Sequence, residues 1–136
     1  MRRLASSLCL LALVAACGGV LLAGCGGDDE GDAEQTVRDF VKAVRERDGD
    51  TFCDELVTEE FLEQFSGATG DKARESCKNE LESLSGLEVE LVRVVRTTVD
   101  EDEAAVTAVI ARQGQRQRQV FRLKKEDGDW KLTGAG

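Results

Sequence analysis

The stretch SGLEVELVRVVRTTVD, Ser85 to Asp100, marks the point at which the residue pattern of this chain changes. Before Gly86, apolar residues recur every three or four positions, whereas after it Leu87, Val89 and Leu91 alternate with glutamates. The first spacing is typical of helices that bury one stripe, and the second is typical of strands that bury one face. We therefore expect helices before Gly86 and strands after it.

Four helices are predicted upstream of that change. The first follows a capping-box pattern, Asp32 with Gln35, and a short second helix follows Asp50. Thr58 is a candidate cap for the third helix, and the fourth begins at Asp71. The apolar stripes of the four helices are Val37, Phe40, Val41 and Val44; Phe52, Cys53, Leu56 and Val57; Phe61, Leu62 and Phe65; and Ala73, Cys77, Leu81 and Leu84.

Three turn signals divide the remainder into four strands. They are the acidic tip DEDE at 100–103, the QGQ segment around Gly114, and Asp127-Gly128, a strong hairpin signal. In the last strand Trp130 and Leu132 share a face, so Trp130 is expected to be buried against the first helix. The chain is predicted to be α+β, with N-terminal helices packed on one face of an antiparallel sheet of about four strands.

The N-terminal residues 1–24 have the composition of a secretory signal. Arg2 and Arg3 precede an uncharged apolar run that is nearly long enough to be a membrane-spanning helix. The small residues that end the run favour the signal. Leu22-Ala23-Gly24-Cys25 resembles the lipobox of bacterial lipoproteins, in which the cysteine carries diacylglycerol and becomes the mature N-terminus.

Val14-Ala15-Ala16-Cys17 fits the same pattern and is the rival lipidation site. Cleavage there leaves an apolar tail, whereas the acidic, glycine-rich GGDDEGD follows Cys25, so Cys25 is preferred. The predicted organisation is a signal peptide at 1–24, a lipidated cysteine with a flexible acidic tether at 25–32, and one domain at 33–136. The predicted location is the extracytoplasmic face of the cell membrane.

The chain has five cysteines, and this organisation leaves two of them to pair. Cys9 and Cys17 leave with the signal peptide, and Cys25 takes the lipid. Cys53 and Cys77 then form a disulfide in an oxidising compartment. The alternative is a pair of buried free thiols that pack as small apolar side chains.

Composition excludes several classes of function. The net charge is −9, or −11 after removal of residues 1–24, which hold two of the 18 basic residues and none of the 27 acidic ones. With no dense basic cluster, the chain is a poor candidate for binding nucleic acid. It contains no histidine and no tyrosine, which excludes a histidine base or a tyrosine oxyanion donor. It also has no glycine-rich phosphate loop, and no cofactor or metal is expected.

Two carboxylates remain as candidates for a catalytic acid or base. Asp39 and Asp54 sit beside apolar helix positions, although a solvated helix face explains each of them as well. The DEDE run could attract calcium only weakly, because its spacing matches no EF-hand, and a solvated hairpin tip is the other interpretation.

The helix-to-sheet order, with TVRDFVKAVRERDGDTFCDEL at 36–56 and FRLKKEDGDWKLTG at 121–134, resembles the nuclear transport factor 2-like superfamily. It is most similar to small secreted or lipid-anchored bacterial members. The resemblance implies a curved sheet that wraps a long helix into a cone with a pocket. Members of the superfamily include ketosteroid isomerases, polyketide cyclases, dehydratases and many proteins that only bind or dimerise.

A cone implies a possible pocket for a small apolar ligand. The candidate lining residues are Phe40, Phe52, Phe61, Phe65 and Trp130. The alternative is that these aromatic side chains simply fill the core, because the chain has so few of them. We therefore predict a non-catalytic ligand-binding or protein-interaction module. The alternative is a small enzyme of the polyketide cyclase or isomerase type that uses a buried carboxylate.

Two surface features suggest partners. Arg116, Arg118, Arg122 and Lys124 share one face of a strand, and they could contact anionic headgroups or wall polymers, or pair with acids of a neighbouring strand. Val92 and Val94 are out of phase with Leu91 and Val95, which suggests a covered outer sheet face and a homodimer through the sheet.

Overall fold

The computed structural model describes residues 25–136, so the predicted signal peptide and the rival Cys17 lie outside the described residues. Four helical segments come first: α1 (Cys25–Glu46), a π-helical segment (Thr51–Leu56), α2 (Glu59–Ser66) and α3 (Asp71–Ser83). Four strands follow: β1 (Val89–Asp100), β2 (Glu103–Arg112), β3 (Gln115–Glu126) and β4 (Asp129–Ala135). The strands form one antiparallel sheet in the order β1-β2-β3-β4, which confirms the predicted α+β class.

The sheet curves because β1 contains two β-bulges. The register with β2 shifts between Leu91 and Arg93 and again between Val94 and Arg96, which makes Val92 and Val95 the extra residues. Each extra residue bends the strand and shifts its in–out alternation by one position. The phase break seen in the sequence is therefore a property of β1 itself and needs no partner on the outer face.

The core lies between α1 and the concave face of the sheet. Val37 of α1 is fully buried, as are Val106 and Ala108 of β2, while Phe121 and Leu123 of β3 are each 2% exposed. α1 lies closest to β1, and the buried side chains of β2 and β3 fill the core beside it.

In the structure α1 begins at Cys25 and includes residues 25–32, the segment predicted to be a flexible tether. The carboxylate of Asp29 accepts a 2.6 Å hydrogen bond from Nζ of Lys125 on β3. This contact raises the pKa of Lys125, chiefly through the hydrogen bond. Acidic residues are also favourable in the first turns of a helix. The capping box is not formed, since Gln35 donates instead to Asp39 at 2.9 Å.

The predicted disulfide between Cys53 and Cys77 is present and joins the π-helical segment to α3, with the two Cα atoms 6.2 Å apart. Beside it, Nζ of Lys78 lies 2.7 Å from a carboxylate oxygen of Asp50 and 2.8 Å from one of Asp54. These hydrogen bonds, first to Asp50 and then to Asp54, raise the pKa of Lys78. A covalent and an ionic link thus hold the same two elements together.

Thr58 caps α2 as predicted, because its hydroxyl accepts a hydrogen bond from the backbone N–H of Phe61 at 3.2 Å. The backbone N–H of Thr58 donates to the carbonyl of Leu132 at 2.9 Å, and Val57 forms an isolated parallel bridge with Leu132. The start of α2 is therefore attached to β4, one of the two edge strands of the sheet.

Trp130 is 5% exposed and lies against α1, as predicted. Its backbone carbonyl accepts a 3.4 Å hydrogen bond from the hydroxyl of Thr36, and the ammonium group of Lys125 lies 5.5 Å from the centre of its ring. Within residues 25–136, none of the helices has the length and apolar character needed to cross a membrane.

Candidate ligand-binding site

An apolar cavity of about 470 Å³ opens between the helices and the end of the sheet where β2 turns into β3. This volume lies within the range of roughly 300–1,000 Å³ typical of small-molecule sites. Four of the five aromatic side chains predicted to line a pocket do line it: Phe40, Phe52, Phe61 and Phe65.

The phenylalanines come from three different elements and contact one another. Phe40 of α1 lies 5.0 Å from Phe52 of the π-helical segment, measured between ring centres. Phe61 and Phe65, one turn apart on α2, stack with their ring centres 6.1 Å apart. Phe52 is 3% exposed and forms the floor, whereas Phe61 and Phe65 are partly exposed and form a wall. Leu84, 40% exposed, lies on the rim.

The cavity wall also contains two polar residues that the sequence pattern did not identify as site residues, Arg112 and Gln119. Arg112 is the last residue of β2 and lies on the same face of the strand as the buried Ile110. Its side chain therefore leaves the backbone on the concave face of the sheet. Gln119 lies opposite Ala108 on the same face. A signal was present: the segment QRQRQ, 115–119, places glutamines at the alternate positions that lead into the buried Phe121.

Trp130, expected in the pocket lining, does not reach the cavity. It borders a separate surface depression that also includes Asp39 and Asp54. Period-2 alternation placed Trp130 on the correct face of the sheet. Its position along β4, beside the turn into that strand, puts it at the opposite end of the sheet from the cavity.

The two carboxylates considered for catalysis also lie outside the cavity. Asp39 accepts the hydrogen bond from Gln35, and the exposed Asp54 pairs with Lys78 and with Arg74, whose Nε is 3.8 Å away. Among residues 25–136, no group of three or more cysteine, histidine, aspartate or glutamate side chains is arranged to hold a metal ion.

The convex face of the sheet is basic, although the protein is acidic overall. Its exposed cations, which we call the outer basic face, are Arg93, Arg96, Arg116, Arg118, Arg122 and Lys124. The residues opposite the three arginines of β3 are Ala111, Val109 and Ala105, and only Lys124 faces an acid, Glu103. No cation of this face forms an ion pair with a carboxylate of the described chain.

The predicted pairing of this basic stripe with acids of a neighbouring strand is therefore not seen in the described residues. Contact with anionic headgroups or wall polymers stays a prediction, as does a homodimer through the sheet. A twofold dimer would bring two such faces together, and like charges directly opposite one another are destabilising.

Comparison with protein-family profiles assigns the chain to a family. The profile of a family described as a domain of unknown function, DUF4878, matches residues 23–133. The chain belongs to the DUF4878 family. The matched range includes all four helical segments, β1 to β3 and β4 as far as Thr133. A search of curated proteins gives no significant match to the sequence.

Solved structures share the fold of this DUF4878 domain. A protein of Novosphingobium aromaticivorans provisionally named an aromatic ring hydroxylase superposes with a TM-score of 0.59 at 19% identity, covering 82% of this chain and 88% of that one. A second protein of that organism, provisionally named a scytalone dehydratase, gives 0.50 at 19% identity over 80% and 87%. A de novo designed protein with a curved β-sheet gives 0.50 at 19% identity over 76% and 95%. The chain therefore shares with these structures a fold of helices packed on a curved antiparallel sheet, as expected from the resemblance to the nuclear transport factor 2-like superfamily.

Proposed function

We propose that this protein is a non-catalytic module that binds a small apolar ligand in the cone, anchored by lipid at Cys25 to the extracytoplasmic face of the membrane. The observation that best supports a binding function is the space left inside the cone. The cone is not filled by its own side chains, because about 470 Å³ of space remains beside the five phenylalanines of the chain.

The chemistry of the lining favours binding over catalysis. The described lining contains one ionisable side chain, Arg112, and no carboxylate, thiol or hydroxyl. Proton transfer and covalent catalysis need a base or nucleophile within hydrogen-bond reach of the substrate. Catalysis by a buried carboxylate remains the second candidate, since fold relatives are provisionally named as enzymes. Of the two carboxylates considered, Asp39 is only half-buried and Asp54 is exposed, and both border the depression beside Trp130 and not the cavity.

Filling the cavity should remove ligand binding. Ala135 is exposed at the C-terminal end of β4 and lines the cavity, so Ala135→Trp should place an indole in the cavity. We expect Nile red, a neutral apolar dye, to bind the wild type with a stoichiometry of one, and the variant about tenfold more weakly, which corresponds to about 1.4 kcal/mol. Fluorescence titration of the purified proteins measures both affinities.

Ala105→Trp is the matched control, because it adds the same indole to the convex face of the sheet. It should bind Nile red as the wild type does. Equal weakening in the two variants, or no saturable binding by the wild type, would contradict a ligand site in the cone.

The lipid anchor is tested at Cys25. Cys25→Ser should abolish incorporation of a labelled fatty acid and move the protein from the membrane fraction to a secreted or uncleaved form, because the serine hydroxyl cannot form the thioether. Cys17→Ser should leave labelling unchanged. Labelling that survives in Cys25→Ser disproves the assignment, and labelling lost only in Cys17→Ser transfers it to the rival site.

A further inference from the structure

The concave face of β3 changes from polar to apolar along its length. Gln115, Gln117 and Gln119 occupy successive inward positions near the mouth of the cavity, and Phe121 and Leu123 continue the same row into the core. This row of amides provides hydrogen-bonding groups at one end of the concave face, next to the apolar core.

The amide oxygen of Gln119 has no hydrogen-bond donor among the described residues. Its Oε1 is buried and accepts no hydrogen bond from any described residue, although the side chain lines the cavity. A buried carbonyl oxygen without a donor costs free energy, and most such atoms in proteins have a partner. The residue opposite is the fully buried Ala108, which offers only a methyl group. The terminal torsion of glutamine is broad, so the amide has the freedom to turn toward a donor.

Arg112 supplies the only charge in the described lining of the cavity. It is exposed at the end of β2, and no carboxylate of the described residues forms an ion pair with it. A guanidinium group donates two parallel hydrogen bonds to a carboxylate, which makes it a directional anchor for that group.

From these features we infer that the ligand is an amphiphilic carboxylate. Its carboxylate binds Arg112 at the mouth, its apolar body packs on the phenylalanines, and a hydroxyl or N–H group donates to Gln119. This inference rests on the proposed function and specifies its ligand. Arg112 and Ala108, the partner of Gln119, are four residues apart on β2, so the backbone positions that carry the two polar anchors are separated by about 13 Å at ~3.3 Å per residue. An extended hydroxy fatty acid of medium length fits such a spacing.

The charge requirement is tested by comparing decanoate with decanol in isothermal titration calorimetry at pH 7.5. The wild type should bind decanoate about tenfold more tightly than decanol. Arg112→Gln should remove this preference by weakening decanoate alone, and Arg112→Lys should retain part of it. Arg116→Gln is the matched control, because Arg116 lies near the same end of the sheet on the convex face, opposite Ala111.

The role of the amide is tested with 10-hydroxydecanoate. The wild type should bind it several-fold more tightly than decanoate, because the terminal hydroxyl provides the donor that Oε1 of Gln119 lacks. Gln119→Leu, which keeps a side chain of similar size, should abolish this difference, so that the variant binds 10-hydroxydecanoate and decanoate with equal affinity.

The outcomes separate this inference from the proposed function. Equal affinity of the wild type for decanoate and decanol overturns the inference and leaves an apolar binding site in place. The same conclusion holds if Arg116→Gln lowers the affinity for decanoate as much as Arg112→Gln does, because the preference then reflects overall charge. If neither decanol nor Nile red binds, the proposed function itself fails.

Discussion

Breaking the Cys53–Cys77 disulfide should lower the free energy of unfolding by about 3 kcal/mol, because the bond closes a loop across 24 residues of sequence separation in the unfolded chain. For a domain of about 100 residues this corresponds to a fall in melting temperature on the order of 10–20 °C. Thermal unfolding of the wild type with and without reductant, followed by circular dichroism, measures the change while keeping both side chains in place.

Cys53→Ala/Cys77→Ala should be at least as destabilising as reduction, because it also removes two buried sulfur atoms, with Cys53 2% and Cys77 0% exposed. Lys78→Gln is the matched control at the same junction. It removes the ion pairs with Asp50 and Asp54 but keeps the covalent bond, and exposed ion pairs stabilise proteins only weakly. A melting temperature that is insensitive to reductant would contradict the stabilising role of the disulfide.

Truncating Leu132 should be comparably severe. Leu132 is 0% exposed, pairs with Leu123 of β3, and lies where Val57 and Thr58 attach to β4. Removing a buried leucine side chain leaves a cavity and costs about 2–5 kcal/mol, a large share of a total stability of roughly 5–15 kcal/mol. We therefore expect Leu132→Ala to shift the urea midpoint strongly, with little change in the slope of the transition.

Leu84→Ala is the matched control for this prediction, since it is the same substitution at a residue 40% exposed on the rim of the cavity. It should change the urea midpoint only slightly. If the two variants unfold at the same denaturant concentration, the core does not depend on β4 in the way described above.

How much of this protein was predictable depends on the range of the interactions involved. The order of helices and strands, the three hairpin turns and the Thr58 cap follow from interactions within a few residues, and all are readable from the sequence. The Cys53–Cys77 pair could be inferred because the expected lipid anchor and signal peptide left only these two cysteines to pair.

The start of α1 depended on a distant residue. The composition of residues 25–32 predicts a flexible tether, because glycines and acidic residues cannot bury apolar surface. Their helical structure is supported by Lys125, which lies 96 positions after Asp29 in the sequence and contacts it across the fold. No local pattern could reveal that contact.

The bulges of β1 and the composition of the cavity were decided by the tertiary structure. Alternation shows which residues share a face only while the register is unbroken, and the extra residues Val92 and Val95 change that register twice. Alternation also leaves open where along a strand a residue meets the helices. For that reason Trp130 was expected in the cavity and lies elsewhere, while Arg112 and Gln119 line it. The sequence by itself determined the elements and the faces they bury, because those depend on short-range periodicity and turn chemistry. The site was decided only when strand register and helix placement brought the end of β2, the middle of β3 and the phenylalanines of three helical segments together around one space.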